Sequence, residues 1–136
     1  MFEREVLAAA GARSVRVVRD PASIAALLVE VDVAVAAAGV SAWELACLGV
    51  PALLTWVADN QRPVADALAT AGAAWDLGPA QSLDDRRLAE RLEAFVGLGD
   101  ELERMSRAGR AFVDGRGAHR LAHELCRLAR AKKERA

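Results

Sequence analysis

Gly39, Ser41 and Glu44 are spaced as a combined phosphate and sugar site would need them, between an apolar run (Val31 to Ala37) and a helix-like segment (Ser41 to Leu48). Backbone N–H groups at residues 40 to 42, at the positive end of such a helix, can hold a pyrophosphate. Glu44 is acceptor-only and has two oxygens, which suits two vicinal hydroxyls of a ribose. Gly39 permits a positive φ or a close approach of ligand to backbone. The same residues also have a structural reading, because Ser41 to Glu44 fits the S-x-x-E capping box, in which hydroxyl and carboxylate satisfy each other's first-turn N–H groups. A second loop, Asp59 to Pro63, offers related chemistry. Asn60 and Gln61 place two side-chain amides where sugar hydroxyls would find both donors and acceptors. Its structural alternative is a helix cap at Asp59 or Asn60, with Pro63 in an early turn.

The elements that must position these loops follow one repeated rhythm. Val31 to Ala37 stops at Gly39 before a helix, and Pro51 to Val57 stops at Asp59 and Asn60 before another, from about Asn60 to Ala71. In open parallel sheets, ligands collect in loops at the carboxyl ends of the strands. Val31 to Ala37 is apolar on both faces, the mark of a central parallel strand. Upstream, Phe2 to Ala10 reads as a helix, Ser14 to Val18 as a short strand, and Asp20 to Glu30 as a helix started by Asp20 and Pro21. A short strand is expected at Ala73 to Leu77. Beyond Gly78 and Pro79 the pattern is wholly helical: Leu83 to Val96, Asp100 to Val113 and Ala118 to Lys132. Alternating elements closed by helices give an α/β class: a Rossmann-like parallel sheet of about four strands, flanked by helices, with a helical C-terminal end.

At 136 residues the chain reads as one domain, and a hydrophobic fraction of 54% suits a packed core. A net charge of −1 supplies no field to gather nucleic acid or an anionic membrane. The longest uncharged stretch, Leu45 to Ala58, is too short to span a bilayer and contains Pro51. Glu3, Arg4 and Glu5 precede only a short apolar stretch, unlike a signal peptide. Cys47 and Cys126 lie in helical apolar patterns and read as buried thiols of a reduced, cytoplasmic compartment, a disulfide between them being the alternative that no pattern supports. Trp43, Trp56 and Trp75 read as packing residues, and the basic tail from Arg127 to Arg135 as the solvated end of a helix.

The order Asp32, Ala37-Ala38-Gly39, Ser41, Trp43-Glu44, Leu48-Gly49-Val50-Pro51, Asn60-Gln61 and Ala71-Gly72-Ala73 resembles the C-terminal, nucleotide-binding half of GT-B-type nucleotide-sugar enzymes. Within that group it is most similar to the UDP-sugar hydrolase of pseudaminic-acid biosynthesis and to spore-coat polysaccharide biosynthesis proteins. Phe112 to Arg120 resembles their closing helix pair. The matched segments extend over most of residues 31 to 125.

The resemblance implies that Glu44 holds the ribose of UDP, that Gly39, Val40 and Ser41 hold the diphosphate, that Asn60 and Gln61 face the sugar, and that uracil meets the backbone of Val18, Arg19 and Asp20. Val40 departs from the pattern, standing where the family commonly has a small or hydroxylated residue. The family's catalytic histidine lies in an N-terminal domain, and nothing before residue 31 is similar to it, so no catalytic residue, cofactor or metal is assigned here. His119 and His123 share a helix face with Cys126, but the segment lacks a zincin glutamate, and Arg120 and Arg127 disfavour a cation. Function is thus expected to be the UDP-sugar-binding half of a hydrolase or glycosyltransferase-like enzyme of surface polysaccharide or nonulosonate biosynthesis. The alternative is a non-catalytic binding or assembly domain that keeps the fold. Residues 1–136 would then form a partial C-terminal domain lacking its first two strands. Those strands would lie between Ser14–Val18 and Val31–Ala37, and their absence leaves an edge open to a second copy, to direct pairing of the two flanking strands, or to a separate N-terminal polypeptide.

Overall fold

The structure, a computed structural model, describes residues 14 to 133. The helix expected at Phe2 to Ala10 lies outside the described residues.

Three parallel strands form the sheet in the order β1 (Ala34–Ala37), β2 (Ala52–Trp56), β3 (Ala74–Pro79). Helix α1 (Ile24–Leu28) precedes β1, α2 (Val40–Leu48) connects β1 to β2, and a 3-10 turn (Asp59–Gln61) with α3 (Arg62–Thr70) connects β2 to β3. A second 3-10 turn (Ala80–Ser82) leads to α4 (Asp85–Val96), α5 (Asp100–Phe112) and α6 (Gly117–Lys133). The α/β class and the Rossmann-like rhythm are as the sequence predicts.

Two expectations are corrected. Ser14 to Val18 forms no strand: residues 14 to 19 have no regular structure, and Val15, Val17 and Val18 are about two-fifths exposed. β-propensity alone does not make a strand without a neighbour to pair with. Among the described residues the sheet therefore has three strands rather than four, the central one is β2, and β1 is an edge strand whose Val35 is 48% exposed. Direct pairing of the first two apolar runs is not adopted. The first helix is also shorter than Asp20 to Glu30 because Ser23, not Asp20, caps it, its hydroxyl accepting from the Ala26 N–H at 3.3 Å.

Successive residues of β2 point to opposite faces, and each face has its own core. Leu54 packs with Ala42, Leu45, Ala65 and Leu68 under α2 and α3. Leu53 packs with Leu77, Phe95 and Met105 under α4 and α5. Trp75 meets Phe95 edge-on at 5.2 Å, with the Arg91 guanidinium over its ring. Trp43 stacks on Phe112 at 6.3 Å. Trp56 packs against the first core with its indole Nε1 buried and unpartnered. All three tryptophans are thus packing residues. Cys47 is half-buried and Cys126 exposed, both as free thiols, so the expectation of burial fails for Cys126.

The carboxyl end of α2 is fixed by two independent devices. Gly49 adopts φ +72, and Val50 N–H returns to the Leu45 carbonyl at 2.9 Å, satisfying orphan groups of the last turn. The Arg110 guanidinium of α5 then donates to the Leu48 carbonyl at 2.9 Å.

Candidate nucleotide-binding site

The register Ala37↔Thr55, continued by Ala38 N–H donating to the Thr55 carbonyl at 2.7 Å, ends β1 and β2 side by side. The Gly39 turn and the Val57–Gln61 loop consequently leave the same edge of the sheet, the carboxyl edge.

Helix α2 starts earlier than the capping-box reading requires. Its N-cap is Gly39, which has no side chain to offer, and Ser41 is the second helical residue. The Ser41–Glu44 capping box is therefore not formed, because Glu44 lies too deep in the helix to reach back to the cap. This frees the groups that the box would consume. Ala42 N–H is bonded to the Gly39 carbonyl at 3.2 Å, whereas the Val40 and Ser41 N–H groups meet no acceptor among the described residues. Two free amides, rather than the three expected at residues 40 to 42, face outward at the positive helix end. Val40, the residue that departs from the family's pattern, is 78% exposed.

Gly39 itself has φ −102, so its backbone does not demand glycine, and a Cβ built there would meet nothing within 4 Å. Neither backbone strain nor packing explains this residue. Val40, Ser41 and Glu44 share one exposed stripe of α2, as the three- and four-residue spacings dictate. The Glu44 carboxylate makes no hydrogen bond or ion pair with any described residue.

On the neighbouring loop, the Gln61 side-chain carbonyl accepts from the Val57 N–H at 3.0 Å. That bond closes the loop on itself and leaves the Gln61 amide nitrogen as a donor. Asn60 is exposed beside it. The structure thus brings Gly39, Val40, Ser41, Glu44, Asn60 and Gln61 to one edge of the sheet. Val18, Arg19 and Asp20 are exposed in a segment without regular structure, where Asp20 has φ 44 and Arg16 pairs with Glu30 at 3.3 Å. His119, His123 and Cys126 are exposed on α6, where His123 approaches Glu124 at 3.7 Å.

Sequence reading missed two polar tethers of the sheet edge. The Thr55 hydroxyl donates to the Gly78 carbonyl at 2.8 Å, and the Asp76 carboxylate accepts from the Gly78 N–H at 2.7 Å. The Asp-x-Gly-Pro order at the end of β3 was the available signal. Both side chains serve the turn. At the junction of α5 and α6, the Arg120 side chain and the Arg116 N–H hydrogen-bond Asp114 and hold its carboxyl down to about 2.

No protein-family model matches the chain. It is 32% identical over 98 residues to the spore coat polysaccharide biosynthesis protein SpsG of Bacillus subtilis, covering 72% of this chain and 29% of that protein. It is 43% identical over 84 residues to the UDP-N-acetylglucosamine--N-acetylmuramyl-(pentapeptide) pyrophosphoryl-undecaprenol N-acetylglucosamine transferase of Methylococcus capsulatus, covering 58% of this chain and 23% of that protein. The chain thus spans less than a third of either relative. Together with the fold, these likenesses support a GT-B-like nucleotide-sugar enzyme family for the chain.

Proposed function

We propose that this chain is the UDP-sugar-binding part of a nucleotide-sugar enzyme of surface polysaccharide biosynthesis. The diphosphate lies on the Val40 and Ser41 amides, the ribose hydroxyls on Glu44, and the sugar toward Asn60 and Gln61. The observation that carries the reading is the Gly39 turn: a glycine that neither φ nor packing requires, followed by two unpaired amides and an unpaired carboxylate on one helix face. Such a turn leaves room for a ligand at the positive helix end. One relative is named for UDP-N-acetylglucosamine, which makes that sugar nucleotide the first to try.

Chemistry is a separate matter. General-base catalysis needs a group within hydrogen-bond reach of the attacking water. The two histidines lie on α6, whereas the proposed diphosphate turn opens α2. Binding without turnover is accordingly the expected behaviour of the isolated chain, and whether the whole enzyme is a hydrolase or a transferase rests on groups outside it. Calorimetry with UDP and UDP-N-acetylglucosamine tests the reading. Affinity in roughly the high-micromolar to millimolar range, about 4 to 6 kcal/mol, should weaken for Glu44→Ala. Equal affinity of wild type and variant would remove Glu44 from the site.

A further inference from the structure

Asp114 and Gly115 form the chain's one Asp-Gly pair. This order is reactive in itself, because a glycine nitrogen has no neighbouring Cβ to hinder it and the preceding aspartate carboxyl can close a five-membered ring with it. The structure leaves both groups accessible. The Gly115 N–H donates to no described residue, and the Asp114 side chain is 49% exposed. Both lie in the turn of residues 113 to 116 between α5 and α6, where Gly115 has φ +69.

Ring closure needs no oxidant, reductant or second molecule. The Gly115 nitrogen bonds to the Asp114 side-chain carboxyl carbon and gives up its proton, while a C–O bond of that carboxyl breaks and water leaves. Water then adds to one of the two carbonyls of the cyclic imide. Opening at the side-chain carbonyl restores aspartate. Opening at the main-chain carbonyl gives isoaspartate, whose backbone passes through the former side chain and whose former main-chain carbonyl carbon becomes a free carboxylate. Mass is unchanged, and the backbone is longer by one carbon.

The same corner carries a brake. Water leaves from the protonated carboxyl, not from the carboxylate. The Arg120 guanidinium donates to one Asp114 oxygen at 2.6 Å and the Arg116 N–H to the other at 3.0 Å. Both oxygens are thus held as acceptors, which keeps the carboxyl ionised down to about 2 rather than 3.8. Whichever oxygen departs, one of these bonds must break first.

We propose that the Asp114–Gly115 bond is a site of spontaneous isoaspartate formation and that Arg120 holds the reaction in check. Conversion moves the carboxylate from the side chain to the former backbone position and so undoes the pair that fastens α6 to the corner. It also lengthens a turn with little room, since a Cβ on Gly115 would stand 3.1 Å from the Cys47 sulfur.

Ageing the purified chain in warm, neutral buffer tests this. Isoaspartate is quantified by methyl labelling with an isoaspartyl methyltransferase and placed at residue 114 by mass spectrometry with electron-transfer fragmentation. Arg120→Ala, at an exposed position and checked for folding by circular dichroism, should accumulate it about three- to tenfold faster than wild type, the lowered carboxyl affinity being discounted for solvent screening. Arg120→Lys keeps the charge and should stay near the wild-type rate. Added salt should speed the wild type and leave Arg120→Ala unchanged, which mere loosening of the corner would not produce. Asp114→Glu cannot close a five-membered ring and should give no product at this position. The wild-type chain unfolded in urea supplies the unguarded rate. A folded wild type that isomerises as fast as Arg120→Ala, or as fast as the unfolded chain, overturns the brake. An unfolded chain that forms no isoaspartate at residue 114 overturns the site itself.

Discussion

Gly109 of α5 lies against Ala46 of α2 so closely that a Cβ on the glycine would stand 2.8 Å from the Ala46 carbonyl oxygen. Both residues are buried. In an exposed helix interior, replacing glycine with alanine gains about 1 kcal/mol. Here the atom in the way is backbone, which cannot swing aside, so the clash outweighs the propensity gain. Gly109→Ala is expected to destabilise the fold by about 1 to 3 kcal/mol, measured by urea unfolding. A stabilised variant would show that α2 and α5 do not approach as described.

Where the sequence was informative, a local signal coincided with its tertiary consequence. The run Pro51 to Val57 was legible as a strand, and Leu53 and Leu54 are fully buried on opposite sides. The central position, however, is read into Val31 to Ala37, whose apolar residues on both faces belong to the edge strand of the sheet. The helices after Pro79 were legible through their apolar period. Ser14 to Val18 misled because its valines express a preference that only a neighbouring strand can realise. Ser41 misled because the S-x-x-E pattern does not say where the chain turns into the helix. That point is set by the end of β1 at Ala37, which puts Gly39 at the cap. The Arg110 bond to Leu48 spans 62 residues and left no local trace. Within the candidate site, residue types were readable, but which groups remain unpaired was not.

Gly39→Ala separates the ligand reading from a structural one. The φ of −102 suits alanine and the space is open, so stability should fall by no more than about 1 kcal/mol, the usual cost of alanine at an N-cap. Binding of UDP, followed by calorimetry, should weaken clearly, because a methyl group would stand where the diphosphate approaches the Val40 and Ser41 amides. Unchanged affinity alongside unchanged stability would leave the glycine without a role at this turn.

Gln61→Ala probes the second loop. Losing the bond from the Val57 N–H should cost about 0.5 to 1.5 kcal/mol of local stability and speed hydrogen exchange of the Val57 amide. Affinity for UDP-N-acetylglucosamine should drop while affinity for UDP stays the same, since only the sugar is placed against this loop. A parallel loss for both ligands would move Gln61 from the sugar to the nucleotide.

The α5–α6 corner carries a pH signature. Hydrogen bonds from the Arg120 side chain and then the Arg116 N–H hold the Asp114 carboxyl at about 2, below its ordinary 3.8. A lowered folded pKa means that the folded state binds the proton less readily than the unfolded chain. The contribution to stability is therefore present above about 3.8 and is lost as pH falls through about 2. Asp114→Asn should lower the stability of the corner at neutral pH and match the wild type once the wild-type carboxyl is protonated. Because the group is exposed to solvent, added salt should narrow the difference. Carbon-detected NMR titration of the Asp114 carboxyl reads the midpoint directly. A midpoint at the ordinary aspartate value would mean that Arg120 does not hold the corner, and that α6 is free to leave the direction in which Asp114 sets it.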